Sequence, residues 1–199
     1  MSVLGWKYID TNKERENIRK ALGYYLPKKL VDQLAKNIAS LRTSGQVVHG
    51  TCLFTDIEQY TALSESMEPK ELHTFMNKYF EALFEPVTRH GGIVAEIQGD
   101  SMLAIWGTSH PDATLRKQAC LASLGISSAV HRFNQTSDSI HLPTRIGLHS
   151  GRMFLGNVGA IDHYEYRPTG DIVNTASRIE GLNKYMNTEK YLPLKIKDL

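Results

Sequence analysis

The sequence predicts an α+β fold, a ferredoxin-like antiparallel sheet with helices packed on it. Three observations predict it. Strand-like runs and amphipathic helical runs follow one another as strand–helix–two strands–helix–two strands–helix. Glycine-centred turns join neighbouring strands, as antiparallel hairpins require. No segment recurs at a fixed period, which removes solenoids and propellers from consideration.

The elements can be justified in order. Residues 1–46 stand apart as an N-terminal helical linker or signal-transmitting segment, with helical runs ENIRKALGYY and LVDQLAKNIASL on either side of Pro27. Leu34, Ile38 and Leu41 fall at i, i+4, i+7, a narrow stripe that suits packing on the domain or pairing with a second copy. Ser44-Gly45 breaks the run, and residues 47–199 read as one domain. VVHGTCLFTD (47–56) reads as a buried strand. Pro69 suits the first position of the next helix. There Leu72, Phe75, Met76, Tyr79, Phe80, Leu83 and Val87 keep helical spacing, so one face is buried. Pro86 is expected to bend or end that helix, and Gly91-Gly92 to close the turn. GIVAEIQGDSMLAIWG reads as a hairpin turning at Gly99-Asp100. A helix is expected over Asp112–Phe133, a second hairpin from TRIGLHSG and RMFLGNVG, and a last helix over Asp171–Asn183.

Composition narrows the class of partner. The 199 residues are 41% hydrophobic and 22% charged, as in a soluble globular protein. Lys+Arg number 23 and Asp+Glu 21, a formal net charge of +2, which gives no electrostatic case for nucleic acid. An anion site must therefore rest on a few placed groups. Cys52 and Cys120 lie in apolar stretches without CxxC spacing and read as buried, reduced thiols. The eight histidines form no HExxH or HxxxH pair, so zinc is not expected. No apolar run approaches the roughly 18–20 residues of a membrane span. The N-terminus turns charged too early for a signal peptide. The chain is expected to be cytoplasmic and to make no membrane contact of its own, although a membrane-anchored parent would leave no trace in it.

The chemistry-bearing residues are two aspartates. Asp56 ends the first strand in FTDIEQYT, and Asp100 sits in the hairpin turn IQGDS. If their strands are neighbours, both carboxylates reach one end of the sheet, where a cation must offset their repulsion. Hard oxygen ligands suit Mg²⁺ or Mn²⁺, with substrate phosphates completing the shell. Two such ions serve an in-line displacement at phosphorus. Either aspartate alone reads more simply as a strand-ending turn residue; the pair in these two contexts does not.

These segments, with RIGLHSGRMFLGNVG and YRPTGDIVNTASRIEGLN, resemble the class III adenylate and guanylate cyclase catalytic domain, and among its members the bacterial receptor-type. The four motifs run in the family's order across about residues 47–183. The resemblance implies the nucleotide cyclase fold and conversion of ATP to 3′,5′-cyclic AMP and pyrophosphate. It implies two Mg²⁺ or Mn²⁺ ions per site and a homodimer sharing its sites. Asp56, Asp100 and the carbonyl of Ile57 would hold the metals. Amides following Asp56, with Thr61, would hold the triphosphate. Asn174 would orient the ribose and Arg178 would stabilise charge on the α-phosphate. On a helix these two are i and i+4, so they share a face, and an arginine fork suits phosphate oxygens. Arg152, after His149-Ser150-Gly151, would touch the terminal phosphates.

Base choice departs from the family pattern. Glu96 stands where adenylate cyclases have Lys and guanylate cyclases have Glu, and a carboxylate can accept the N1–H and N2 amino hydrogens of guanine. Its partner position, Arg167, fits neither group, but could form an ion pair with Glu96 and leave the purine to the backbone or Thr169. The resemblance of the YRPxGDIVNTA segment to that of bacterial receptor-type cyclases, a group assigned to cyclic AMP, implies ATP. The family also continues with further strands and a phosphate-binding lysine after the position of Asn183. Here only Lys184, Lys190, Lys195 and Lys197 follow, so a C-terminally shortened fold is expected. The alternatives are a guanylate cyclase making cyclic GMP, or a catalytically weak cyclase-like module that dimerises or regulates. A diguanylate-forming domain is disfavoured because the turn reads IQGDS rather than a GGDEF-like sequence.

Overall fold

In chain order the elements are α1 (Val3–Gly23), β1 (Gly45–Ile57), α2 (Tyr60–Ser66), α3 (Pro69–Arg89), β2 (Ile93–Gln98), β3 (Ser101–Thr108), α4 (Ala113–Thr136), β4 (Thr144–Ala160), β5 (His163–Thr169) and α5 (Asp171–Met186). They are seen in a computed structural model that describes residues 3–23, 31–32, 45–136, 140–160 and 163–186. The strands form one sheet in the order β2–β3–β1–β4–β5. The α+β class is the predicted one, with β1–β3 and β2–β3 both antiparallel.

The chain divides into two units, Met1–Gly45 with Asn157–Tyr166, and Gln46–Gly156 with Arg167–Leu199. In the first, α1 exposes every residue from Lys13 to Gly23 except the half-buried Leu22. The stripe Leu34, Ile38 and Leu41 lies outside the described residues, as do Lys190, Lys195 and Lys197. All predicted site residues belong to the second unit.

Within that unit, the period-two alternation of β1, β3 and β4 sorts side chains onto two faces. Leu53, Ile57, Met102, Ala104, Trp106, Ile146 and Leu148 join the apolar stripes of α3 and α4 in one core. Val48, Cys52, Leu103, Ile105 and Met153 face the other way and meet Ile172 and Ala176 of α5. The site-bearing helix thus covers the face opposite α3 and α4. Its approach is close. A Cβ on Gly147 would lie 2.2 Å from the Ala176 carbonyl oxygen and 2.4 Å from the Glu180 nitrogen, so only glycine lets α5 settle on β4.

Two expectations are corrected. Pro86 does not end α3, which runs on to Arg89. The proline sits in the last turn, where it forfeits one backbone bond, and its ring is buried against Gly125 of α4. TRIGLHSG and RMFLGNVG do not form a hairpin; they are one strand, the 17-residue β4. A tight hairpin needs residues at positive φ. Gly151 is not among the positive-φ glycines, whereas Gly99, at φ 61, is and does turn β2 into β3. The half-buried Cys120 also departs from the buried pair expected, while Cys52 is buried; both are free thiols.

Candidate active site

Asp56 and Asp100 meet because β1 and β3 are ladder neighbours. Thr55 pairs with Met102, so Asp56 at the end of β1 comes level with Ser101, and Asp100 is the residue before it. The Ser101 hydroxyl donates to Asp56 Oδ1 at 3.1 Å. The Ile57 amide donates to Asp100 Oδ2 at 3.1 Å. Burial, and then the charge of Asp56, push the Asp100 carboxyl above its ordinary pKa, against the pull of the amides of Ile57 and of Asp100 itself.

A cation would relieve that strain, and the donor set fits one. Two carboxylates and a backbone carbonyl are hard oxygens, and each carboxylate oxygen retains a lone-pair direction beyond the hydrogen bond it accepts. Among the described residues no three His, Cys, Asp or Glu side chains gather in a metal-binding group. A pair of carboxylates suffices where a ligand's phosphates complete the shell.

Two charged residues that the sequence reading missed complete the cluster. Arg145 of β4 places Nη2 2.5 Å from Asp56 Oδ2. Its Nε lies 2.8 Å from Glu180 Oε1 on α5, an ion pair without a directed hydrogen bond at either atom. The side chains of Arg145 and Glu180 are 9% and 8% exposed, against 23% for Asp56. Burial raises the Glu180 carboxyl pKa, the charge of Asp56 adds to this, and Arg145 and Lys184 pull it back. A signal was present: Arg145 lies in a strand whose neighbours Thr144 and Ile146 are both buried, and a buried arginine needs an acid. Glu180 continues the buried row Ile172, Ala176 at helical spacing.

Behind the aspartates, on the α3–α4 face, Tyr79 and Thr144 share a buried hydrogen bond of 2.8 Å. The amides expected to receive a triphosphate are partly engaged. Those of Ile57 and Glu58 donate to Asp100 and, at 2.8 Å, to the Pro143 carbonyl. The next amide along the chain is that of Gln59, which adopts φ 64. Thr61 is exposed in the first turn of α2, and Arg152 is exposed on β4.

Asn174 and Arg178 are both exposed on α5, on the side away from Ile172, Ala176 and Glu180. Glu96 and Arg167 come together as an ion pair, Oε2 to Nη2 at 3.5 Å. Their strands β2 and β5 stand at opposite ends of the sheet order. A bulge in β2 helps. Val94 pairs with Ala104 but Glu96 with Leu103, leaving Ala95 extra. The bulge turns Glu96 onto the α5 face, where Leu103 points, instead of into the α3–α4 core.

Comparison with known proteins agrees with this geometry. The family model described as "Adenylate and Guanylate cyclase catalytic domain" matches residues 43–187. Adenylate cyclase 1 of Rhizobium meliloti (strain 1021) is 35% identical over 170 residues, covering 82% of this chain and 25% of its own length. The chain spans about a quarter of the length of the curated relatives it matches. A bacterial light-regulated adenylyl cyclase shares the fold, with TM-score 0.77 and 23% identity over 94% of this chain and 55% of that one. The guanylyl cyclase Cya2 superposes with TM-score 0.64 and 27% identity, over 70% of this chain and 72% of its own. Among the described residues no helix is long and apolar enough to cross a membrane.

Proposed function

The chain belongs to the adenylate and guanylate cyclase catalytic domain family, and from that premise we propose that it converts ATP to 3′,5′-cyclic AMP and pyrophosphate at sites shared by two copies. The observation that carries this reading is the convergence of Asp56 and Asp100 at one end of the sheet, linked through Ser101 and the Ile57 amide. Asp56, Asp100 and the Ile57 carbonyl would hold two Mg²⁺ or Mn²⁺ ions. Bound there, the ions supply Lewis acidity toward the ribose 3′-hydroxyl and charge neutralisation toward the triphosphate.

The chain's own residues supply the rest. Asn174 fixes the ribose so that its 3′-oxygen lies in line with the α-phosphorus. Arg178 offers its fork to the charge that builds on the α-phosphate. Thr61, the amides from Gln59 onward and Arg152 hold the terminal phosphates. Both Asn174 and Arg178 are exposed, as residues that complete a partner's site must be.

The Glu96–Arg167 ion pair supports adenine over guanine. A carboxylate reading guanine needs its oxygens aimed at N1–H and the amino group, and Arg167 engages one of them. The second reading, cyclic GMP formation, rests on Glu96 itself and on the likeness to a guanylyl cyclase. The chain incubated with ATP or GTP and Mn²⁺ or Mg²⁺, with products resolved by chromatography, separates the two. Cyclic AMP from ATP supports the proposal. Cyclic GMP alone replaces it, and no cyclic product from either overturns it in favour of a regulatory module.

A further inference from the structure

We propose that Glu180, acting through Arg145, is a positioning residue for the metal-binding carboxylate of Asp56. The inference rests on the reading of Asp56 as a metal ligand and adds a residue to it that touches neither metal nor nucleotide.

The argument starts from burial. Glu180 and Arg145 are nearly inaccessible, and ionised groups taken out of water are retained only when paired. A lone Arg145–Glu180 pair would be a neutral structural plug. Arg145 instead reaches past Glu180 and binds Asp56 Oδ2, while Ser101 fixes Oδ1. The Asp56 carboxylate is therefore clamped at both oxygens, and the guanidinium is held in that clamp by the charge behind it.

The anchor is rigid. Gly147 brings the backbone of α5 against β4 at Glu180 itself, and the Asn183 side chain donates from Nδ2 to the Ile146 carbonyl at 3.2 Å. Charge counting gives the direction of the effect. Asp56, Asp100 and Glu180 against Arg145 leave an excess of two negative charges, and without Glu180 the excess is one. Arg145, no longer balanced from behind, then competes more strongly with any cation for Asp56.

The test is a double-mutant cycle read by Mn²⁺ titration in the presence of 3′-deoxy-ATP, which supplies the phosphates but cannot cyclise, with the free ion followed by EPR against a protein-free control and folding checked by circular dichroism. Glu180→Gln keeps shape and removes charge, and should weaken Mn²⁺ binding about tenfold. In an Arg145→Met background the same change should shift binding by only about threefold, the direct effect of one lost negative charge. ATP turnover should show a higher metal requirement, with kcat at saturating Mn²⁺ changed much less. If Glu180→Gln fails to fold, Glu180→Asp replaces it, with an expected weakening of about threefold. Unchanged Mn²⁺ affinity in the folded variant overturns the inference, as does an equal effect in both backgrounds. Asp56→Ala is the control: if it leaves Mn²⁺ binding intact, or the parent chain binds none, the metal-site reading fails as well.

Discussion

Asp56, Asp100, Arg145, Glu180, Glu96 and Arg167 each have a definable neighbour at the site. Asp56→Ala or Asp100→Ala should abolish turnover while the chain stays folded. In the first variant Arg145 still has Glu180 as its counter-ion, so no buried charge is orphaned. Chromatography of the cyclic product beside a thermal melt checks both halves, and near-normal turnover in either variant would refute the metal assignment. Base choice is argued from the Glu96–Arg167 pair. Glu96→Lys with Arg167→Thr, changed together so that two cations do not face each other, should raise the ATP-to-GTP ratio of kcat/KM. An unchanged ratio in an active double variant means the purine is read elsewhere. The aspartates were legible in the sequence because each ends a strand or makes a turn, where a carboxylate is unusual only in company. Arg145 and Glu180 were not, because their partners lie far off in the chain, Asp56 and Arg145 being 89 positions apart. A pattern of local periodicity shows that a charge is out of place without showing what compensates it.

Helices α3, α4 and α5 and the central strands were legible as elements because their apolar residues keep a period over several turns or pairs, whereas the seven-residue α2 is too short to show one. The long strand β4 was not. Ser150-Gly151 has the composition of a turn, but composition permits a turn without compelling one, and the ladder continued through it. The bulge in β2 was hidden in the same way, since one extra residue leaves no mark on an apolar run. The seating of α5 on β4 is the element-scale feature with the sharpest test. Gly147→Ala should force the helix away from the strand at a cost of about 2 kcal/mol, lowering Tm by roughly 4–8 °C. Turnover should fall further than lost stability explains, because the same displacement moves Glu180, Asn174 and Arg178. Calorimetry and assays well below the melt separate the two effects. A melt and a rate both like those of the parent would show that the contact is not limiting.

At the scale of the molecule, the pair Asp56–Asp100 and the pair Asn174–Arg178 lie on different elements, and the proposal gives them to different copies' sites. Mixing an Asp56→Ala chain with an Arg178→Ala chain should then restore activity that neither has alone. One site of each mixed dimer is free of lesions, and mixed dimers form about half the population, so recovery should reach about a quarter of the parent rate. Failure to complement, with subunit exchange verified by light scattering or fluorescence transfer, would assign both sets to one chain. Helix α5 gives this sharing a further meaning. Its exposed and buried rows lie about 200° apart around one rigid cylinder. The exposed row would serve the reaction centre of the neighbouring copy, and the buried row steadies an acid in the home centre. A single beam then rests on two hearths. What shifts it at one end is felt at the other, and thermodynamic reciprocity makes the influence on binding equal in both directions.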